Sequence, residues 1–354
     1  MAFVNGCISS KNYTVGTRFF FAARDGYPMW RLYTEYFAEA EYLPISRAAT
    51  QMLAFSANID AYVDANLQCL IGMGETLGNV LQRMGIDACL PNWQKAGLTA
   101  DAVIDKDVLQ RLKQQLTNDR EKIETIFAPA KANAAAYFRT QFAGCQTVAV
   151  VDTGWKGSST RLLQSFCKSE NIPVQLTNVL LGTSAGASVQ CQIEANLLHS
   201  YLFSTSQNCA LLQRHMRHMG GVCALTEMLC STEHPPLLSY AKAADGGFTY
   251  GEVDVSTAQL ARREWEGIHD FAEEFHGVLS RLGWEVTVTA DDAYAPFDAL
   301  TADEDTLLKV FGDLPYGMAT TVRKREETGG VLFLRKKMVS SEVYRRWIRA
   351  KRRG

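Results

Sequence analysis

The residues best suited to chemistry lie in one short run, Asp152-Thr153-Gly154-Trp155-Lys156-Gly157-Ser158-Ser159, with Thr160 directly after it. Gly154 and Gly157 let the backbone turn tightly and bring its N–H groups close to a ligand. Ser158, Ser159 and Thr160 add hydroxyl donors and are residue types that cap a following helix. A helix starting there carries unpaired amides and a partial positive charge, both of which attract an anion. Lys156 adds a formal positive charge. Asp152 suits accepting sugar hydroxyls or holding a Mg2+ that bridges phosphates. The run therefore points to phosphate or sugar-phosphate binding. The plainer alternative is a β–α turn whose Asp and Ser groups only cap the helix. It is not a Walker A loop, because Lys156 precedes the second glycine, and the dinucleotide pattern GxGxxG is absent.

A second candidate is Arg24-Asp25-Gly26, which closes the apolar run 18–23 (RFFFAA). A charged pair at the end of a wholly apolar strand is where α/β proteins place ligands. Arg24 suits clamping a phosphate, and Asp25 a sugar hydroxyl or a metal; an ion pair or a helix cap is the alternative. Arg47, just after 41–46 (EYLPIS), is read in the same way. No residues are assigned as a dedicated metal site. The six histidines show no ligand spacing, and surface or capping roles are expected for them, including His215 and His218 at i,i+3. There is no GxSxG. The glycines of Gly72-Met73-Gly74-Glu75-Thr76-Leu77-Gly78 follow no strand, so they read as loop or helix-packing positions rather than a cofactor loop.

The elements that must carry these loops follow from the apolar pattern. Runs 18–23, 147–151 (TVAVV) and 174–181 (VQLTNVLL) are nearly continuous, as in strands buried on both faces of a parallel sheet. Runs 41–46 and 199–204 (HSYLFS) add two shorter strands. A helix opens near Pro28 and carries Met29, Trp30, Tyr33, Tyr36 and Phe37 on one stripe. Another, over 160–168, turns Leu162, Leu163 and Phe166 inward. Strand signals vanish over 48–144, where amphipathic stretches 107–116 and 121–142 predict a helical insertion.

The expected fold class is α/β: a parallel, doubly wound sheet with a large helical insertion and a mixed α+β C-terminal part. The expected division is 1–205 for the α/β core, with the insertion at about 48–144, and 206–354 for a mainly helical second part. Right-handed crossovers would gather the Asp25, Arg47 and Asp152 loops at the carboxyl edge of the sheet. Past residue 210 the pattern predicts a helix over 214–230, a turn at Asp245-Gly246-Gly247-Phe248 between short strands, a long helix over 256–282 and a strand over 284–289 (WEVTVT).

The chain has 354 residues, 47% hydrophobic and 21% charged, which is ordinary globular composition. Its net charge of -2 argues against general nucleic-acid binding. The nine cysteines are irregularly spaced without a CxxC pair, as expected for buried free thiols in a reducing compartment. The start lacks a signal-peptide plan, and no apolar run approaches the roughly 18 residues of a membrane span. A cytoplasmic protein is expected. The tail 344–353 (YRRWIRAKRR) is strongly basic. It reads as a solvated end or as a contact with anionic lipid or polymer, with Trp347 as an interfacial anchor.

The loop-bearing units resemble the phosphoribosyltransferase core over roughly residues 18–205. In that family an acidic residue ends a strand, and a Gly/Ser/Thr-rich loop grips the 5-phosphate of phosphoribosyl diphosphate. An earlier strand–loop–helix unit holds the pyrophosphate; Arg24-Asp25-Gly26-Tyr27 occupies that place here. The family's loop usually carries two adjacent acids, whereas Asp152 is followed by Thr153.

A second resemblance spans nearly the whole chain. RFFFAARDGYPM, YLPISR and VAVVDTGWKGSSTRLLQSF, in this order, look like the C-terminal region of a bacterial family of predicted haloacid dehalogenase-type hydrolases found with polysaccharide and glycosyltransferase genes. Glu227-Met228-Leu229 to Ser239-Tyr240, then Gln259 to Phe271, and Tyr344 to Trp347 continue the likeness. That resemblance implies a role in bacterial cell-surface polysaccharide biosynthesis. The ligand it implies is a phosphorylated sugar or nucleotide sugar, and the chemistry group transfer at that sugar. The alternative is a non-catalytic module partnering a hydrolase of that type or a glycosyltransferase. Phosphatase activity is not expected, because no apolar strand ends in the DxD that such hydrolases require. If the chain is catalytic, Asp152 and Asp25 carry the reaction, while Arg24, Gly26, Arg47, Gly154, Lys156, Gly157, Ser158, Ser159 and Thr160 bind the phosphate and sugar.

Overall fold

The computed structural model describes residues 16–55, 58–71, 74–216, 221–253, 255–303 and 305. The α/β expectation is met. Strands β1 (Arg18–Ala22), β2 (Glu41–Leu43), β3 (Thr147–Asp152), β4 (Gln175–Gly182) and β5 (Leu198–Phe203) form one sheet in the order β2-β1-β3-β4-β5. Every neighbouring pair is parallel. The central ladder pairs Arg18 with Val148 and Phe21 with Val151. The continuous apolar runs have a direct cause, since both faces are covered. Phe20, Ala22, Val148 and Val150 point to one face, and Phe21, Ala149, Val151 and Val179 to the other.

Helix α1 (Tyr27–Tyr36) covers the second face through Tyr33, with Met29 and Trp30 packed beside it. Pro28 sits in its first turn, where a missing N–H costs nothing. Helix α2 (Arg47–Leu53) starts at Ser46, whose hydroxyl accepts from the Ala49 amide. The insertion continues with α3 (Ile59–Asn66), α4 (Leu77–Met84), α5 (Leu90–Trp93), α6 (Lys106–Asn118) and α7 (Arg120–Gln141). These helices have a core of their own around Leu81, Trp93, Leu112, Leu116 and Phe127. Trp93 satisfies its indole N–H on Asp119 at 2.6 Å. Helix α7 runs out of that core and lays Ala134, Ala135 and Phe138 under the sheet.

After β3 come α8 (Ser158–Ser169), α9 (Ala187–Glu194), α10 (Cys209–His215) and α11 (Gly221–Leu229). The helix expected over 214–230 is thus two helices, with residues 217–220 outside the described set. The turn at 245–248 joins antiparallel strands β6 (Leu237–Lys242) and β7 (Phe248–Tyr250), as expected. Helix α12 (Val255–Leu282) is the long amphipathic helix, and α13 (Ala290–Ala302) follows, opened by a Thr289/Asp292 capping box.

The strand expected over 284–289 does not form. Trp284 and Val286 stand exposed, and among the described residues no strand lies alongside, so none of them gives the backbone a ladder to join. The 344–353 tail lies outside the described residues. Among the described residues no helix is long and apolar enough to cross a membrane. Of the cysteines described, Cys89, Cys145 and Cys167 are buried free thiols, as read from the sequence, whereas Cys191 and Cys209 are exposed.

The β6–β7 hairpin belongs to the sheet's own core. Leu237 and Tyr240 are buried in it. Ser46 donates its hydroxyl to the Leu237 carbonyl at 2.6 Å, Tyr240 donates to the Pro44 carbonyl at 2.8 Å, and Asn133 donates to the Tyr240 carbonyl at 3.1 Å. Tyr240→Phe should therefore lower stability by about 1–2 kcal/mol, because it removes the donor to a partly buried carbonyl. Urea denaturation measures this, and an unchanged midpoint would show that the hairpin contributes nothing through that bond.

Candidate functional site

Strand order reverses between β1 and β3: β1 leads outward to β2, and β3 leads the other way to β4. In open α/β sheets the crevice outside the carboxyl ends of two such strands is the usual ligand position. Asp25 follows β1 and Asp152 ends β3, so the sheet sets these two carboxylates side by side. Thr153, fully buried, lies between them. Its amide donates to Asp152 Oδ1 at 2.8 Å, and its hydroxyl lies 3.4 Å from Asp25 Oδ2 and 3.5 Å from Asp152 Oδ1.

Each aspartate keeps a little surface, but its carboxyl group is enclosed by protein. Burial holds both above the ordinary carboxylate range. Asp25 is drawn partly back by Arg24, by the Thr153 hydroxyl and by Arg47. Asp152 is pushed further by the charge of Asp25, which makes it the more perturbed of the two.

A third carboxyl group joins them from α11. Glu227 accepts a hydrogen bond from the Trp155 indole at 3.0 Å. Burial, helped by the charge of Asp25, raises Glu227 to about 7. Arg47, exposed at the start of α2, is close enough to act on all three acids in the opposite sense. Cys230, one turn beyond Glu227, has its thiol held protonated by burial and by the same carboxylates. Sequence reasoning missed Thr153, Glu227 and Cys230. For Glu227 there was a signal: it is the lone acid in the apolar helix segment CALTEMLC (223–230).

The loop after Asp152 is shaped by close approaches. A Cβ on Gly154 would meet the Gly182 carbonyl at 2.7 Å. Gly157 has φ +63, and a Cβ there would meet the Asn178 side chain at 2.6 Å. The Ala23–Arg24 and Gly154–Trp155 peptides are cis. Gly26 closes the first loop by donating to the Ala22 carbonyl at 2.9 Å. Helix α8 begins at Ser158 with Gly157 as its N-cap and no side-chain oxygen on its first amides. This corrects the expectation that Ser158, Ser159 or Thr160 caps the helix: the left-handed glycine takes the cap position and leaves the three hydroxyls inside the first turn. Lys156 is exposed, Ser158 and Ser159 are partly exposed, and Thr160 is packed inward. Gln192 Nε2 pins the loop by donating to the Lys156 carbonyl at 3.1 Å.

His215, expected at the surface, is 1% exposed. Its Nδ1 lies 3.0 Å from the Tyr294 hydroxyl, and its Nε2 has no partner among the described residues. Burial lowers its pKa to about 3, so the ring is neutral. It packs 4.5 Å from the Trp155 ring, backing the indole that holds Glu227. Among the described residues no group of three or more His, Cys, Asp or Glu side chains is arranged to hold a metal ion.

No protein-family model matches this sequence, and no curated protein matches it. The fold and the loops therefore define only a class, a doubly wound α/β protein with an acidic crevice beside an uncapped helix N-terminus.

The raised carboxyls have a signed consequence for stability. A carboxyl group whose pKa rises on folding holds its proton more tightly in the native state. That contribution is complete below the unfolded value and is lost as pH climbs through the folded one. For Glu227 the window runs from 4.5 to about 7. Across it, wild type should lose roughly 3 kcal/mol relative to Glu227→Gln, at about 1.4 kcal/mol per pKa unit. Paired urea titrations at several pH values measure the difference, and a pH-independent gap would mean that Glu227 titrates normally.

Proposed function

We propose that this chain binds a sugar phosphate or a nucleotide sugar at the carboxyl edge between β1 and β3. One observation carries the reading: the uncapped N-terminus of α8 and the Asp25–Asp152 pair stand at the same switch point. The α8 amides, Lys156, Ser158 and Ser159 hold phosphate. Gly154 and Gly157 allow the approach, and Thr160 supports the helix turn from within. Asp25 and Asp152 accept sugar hydroxyls, with Arg24 and Arg47 balancing the phosphate charge from the β1–β2 side. Gly26 keeps the first loop tight.

The chemistry this arrangement suits is group transfer at the phosphorylated sugar, as in the phosphoribosyltransferase-like reading. A Mg2+ carried by phosphates needs only one or two carboxylates from a protein. Asp25 and Asp152 are the pair placed to supply them, and the cation would draw both back into ionised form. The resemblance to hydrolase-associated proteins supports a role for this binding in bacterial cell-surface polysaccharide assembly, on the cytoplasmic side.

A second reading, a module serving a separately encoded hydrolase or glycosyltransferase, has its own observation. β1 runs into Arg24-Asp25-Gly26 and β3 into Asp152-Thr153-Gly154, so neither central strand presents DxD.

Calorimetric titration with phosphoribosyl diphosphate and with nucleotide sugars, with and without Mg2+, tests the proposal. Wild type should bind, and Asp152→Ala and Lys156→Ala should each weaken binding about tenfold or more, the loss of one charged contact. No binding, or binding indifferent to both substitutions, would overturn it.

A further inference from the structure

The crevice has a second wall, formed at the β1–β2 side by four separate parts of the chain. Tyr27 opens α1, and Tyr42 lies on β2. His234 lies between α11 and β6, and Trp265 lies on α12. Tyr27 is the hub, with ring centroids 5.7 Å from Tyr42, 4.5 Å from His234 and 6.1 Å from Trp265. All four residues keep partial exposure. Arg31 lies over the Trp265 ring at 4.8 Å and donates to the Tyr27 hydroxyl at 2.9 Å.

Among the described residues, two polar atoms in this wall have no partner: Arg24 Nε and the Tyr42 hydroxyl, both buried. They belong to one neighbourhood, since Arg24 and Asp25 both act on the Tyr42 phenol. Buried polar groups in folded proteins are almost always paired, so two neighbouring orphans call for a partner that the described residues do not supply, and a ligand is one that fits. The guanidinium offers a donor, the phenol a donor and an acceptor, and Asp25 an acceptor. A ring bearing several hydroxyls answers that set, its C–H faces suiting aromatic side chains.

We infer that Arg24, Tyr42, Tyr27, His234 and Trp265 form a subsite for the hydroxylated ring of the ligand, distinct from the phosphate position at α8. The inference rests on the sugar-phosphate reading and adds which part of the ligand lies on which side. The phosphate faces β3 and α8, and the sugar ring reaches across Asp25 toward β2.

The test uses the full chain with four probes: glucose 1-phosphate, inorganic phosphate, methyl glucoside and uridine monophosphate. Tyr42→Phe keeps the ring and removes one hydroxyl, so folding is preserved. It should weaken glucose 1-phosphate about tenfold, the worth of one buried hydrogen bond, and leave inorganic phosphate unchanged. Lys156→Ala should weaken both. Saturation-transfer NMR should show methyl glucoside receiving magnetisation from the protein, and Trp265→Ala should reduce it.

If glucose 1-phosphate binds no better than phosphate and ignores Tyr42→Phe, the subsite is overturned while phosphate binding stands. If methyl glucoside binds and phosphate does not, the subsite stands and the phosphate position falls. If uridine monophosphate depends on Tyr42 and glucose 1-phosphate does not, the wall reads a base, and the inference is overturned.

Discussion

The parallel ladder between β1 and β3 is the contact on which the rest of this molecule depends. It is the only place where the two loop-bearing strands are neighbours, and it makes the strand order reverse. Both strands are apolar on both faces because helices cover both sides, so their carboxyl ends are the first positions where charge can surface. Asp25 and Asp152 are adjacent for that reason. Burial makes both resist ionisation, and for Asp152 the charge of Asp25 adds to it; their proximity encloses Thr153 between them, with Arg24 and Arg47 acting from the β1–β2 side.

Around that ladder the supporting groups form layers. Trp155 fixes Glu227 and is itself backed by His215 and Phe203. Gln192 holds the Lys156 carbonyl, and Gly157 fits over Asn178 only because it has no side chain. The loop is thus held from three directions by groups that do not themselves reach into the crevice. This is the pattern expected where a backbone shape, rather than a single side chain, does the recognising.

The strands were legible in the sequence because burial on two faces leaves an unbroken apolar signature, as in RFFFAA and TVAVVD. The two aspartates were legible because they interrupt it. The helical insertion was legible from periodicity alone. What could not be read depended on contacts between distant segments. Glu227 has its meaning only through Trp155, and His215 is buried only because α13 brings Tyr294 against it. WEVTVT has the residues of a strand and the alternation of one, yet among the described residues no neighbouring strand pairs with it. The N-cap of α8 went to Gly157 because a left-handed turn, invisible in residue type, displaced the serines by one position.

The helical insertion separates β2 from β3, yet its first and last helices are anchored in the same core under the sheet, through Ala49 and Leu53 at one end and Ala134 and Phe138 at the other. Once folded it is a short bridge, whatever its length in residues, and closure entropy grows only slowly with loop length in any case. During synthesis β1 and β2 emerge first and must wait for β3, while the insertion can collapse on its own core in the interval. The two aspartates can meet only once β3 has followed the insertion, so the crevice is built from a contact between distant parts of the chain rather than a local one.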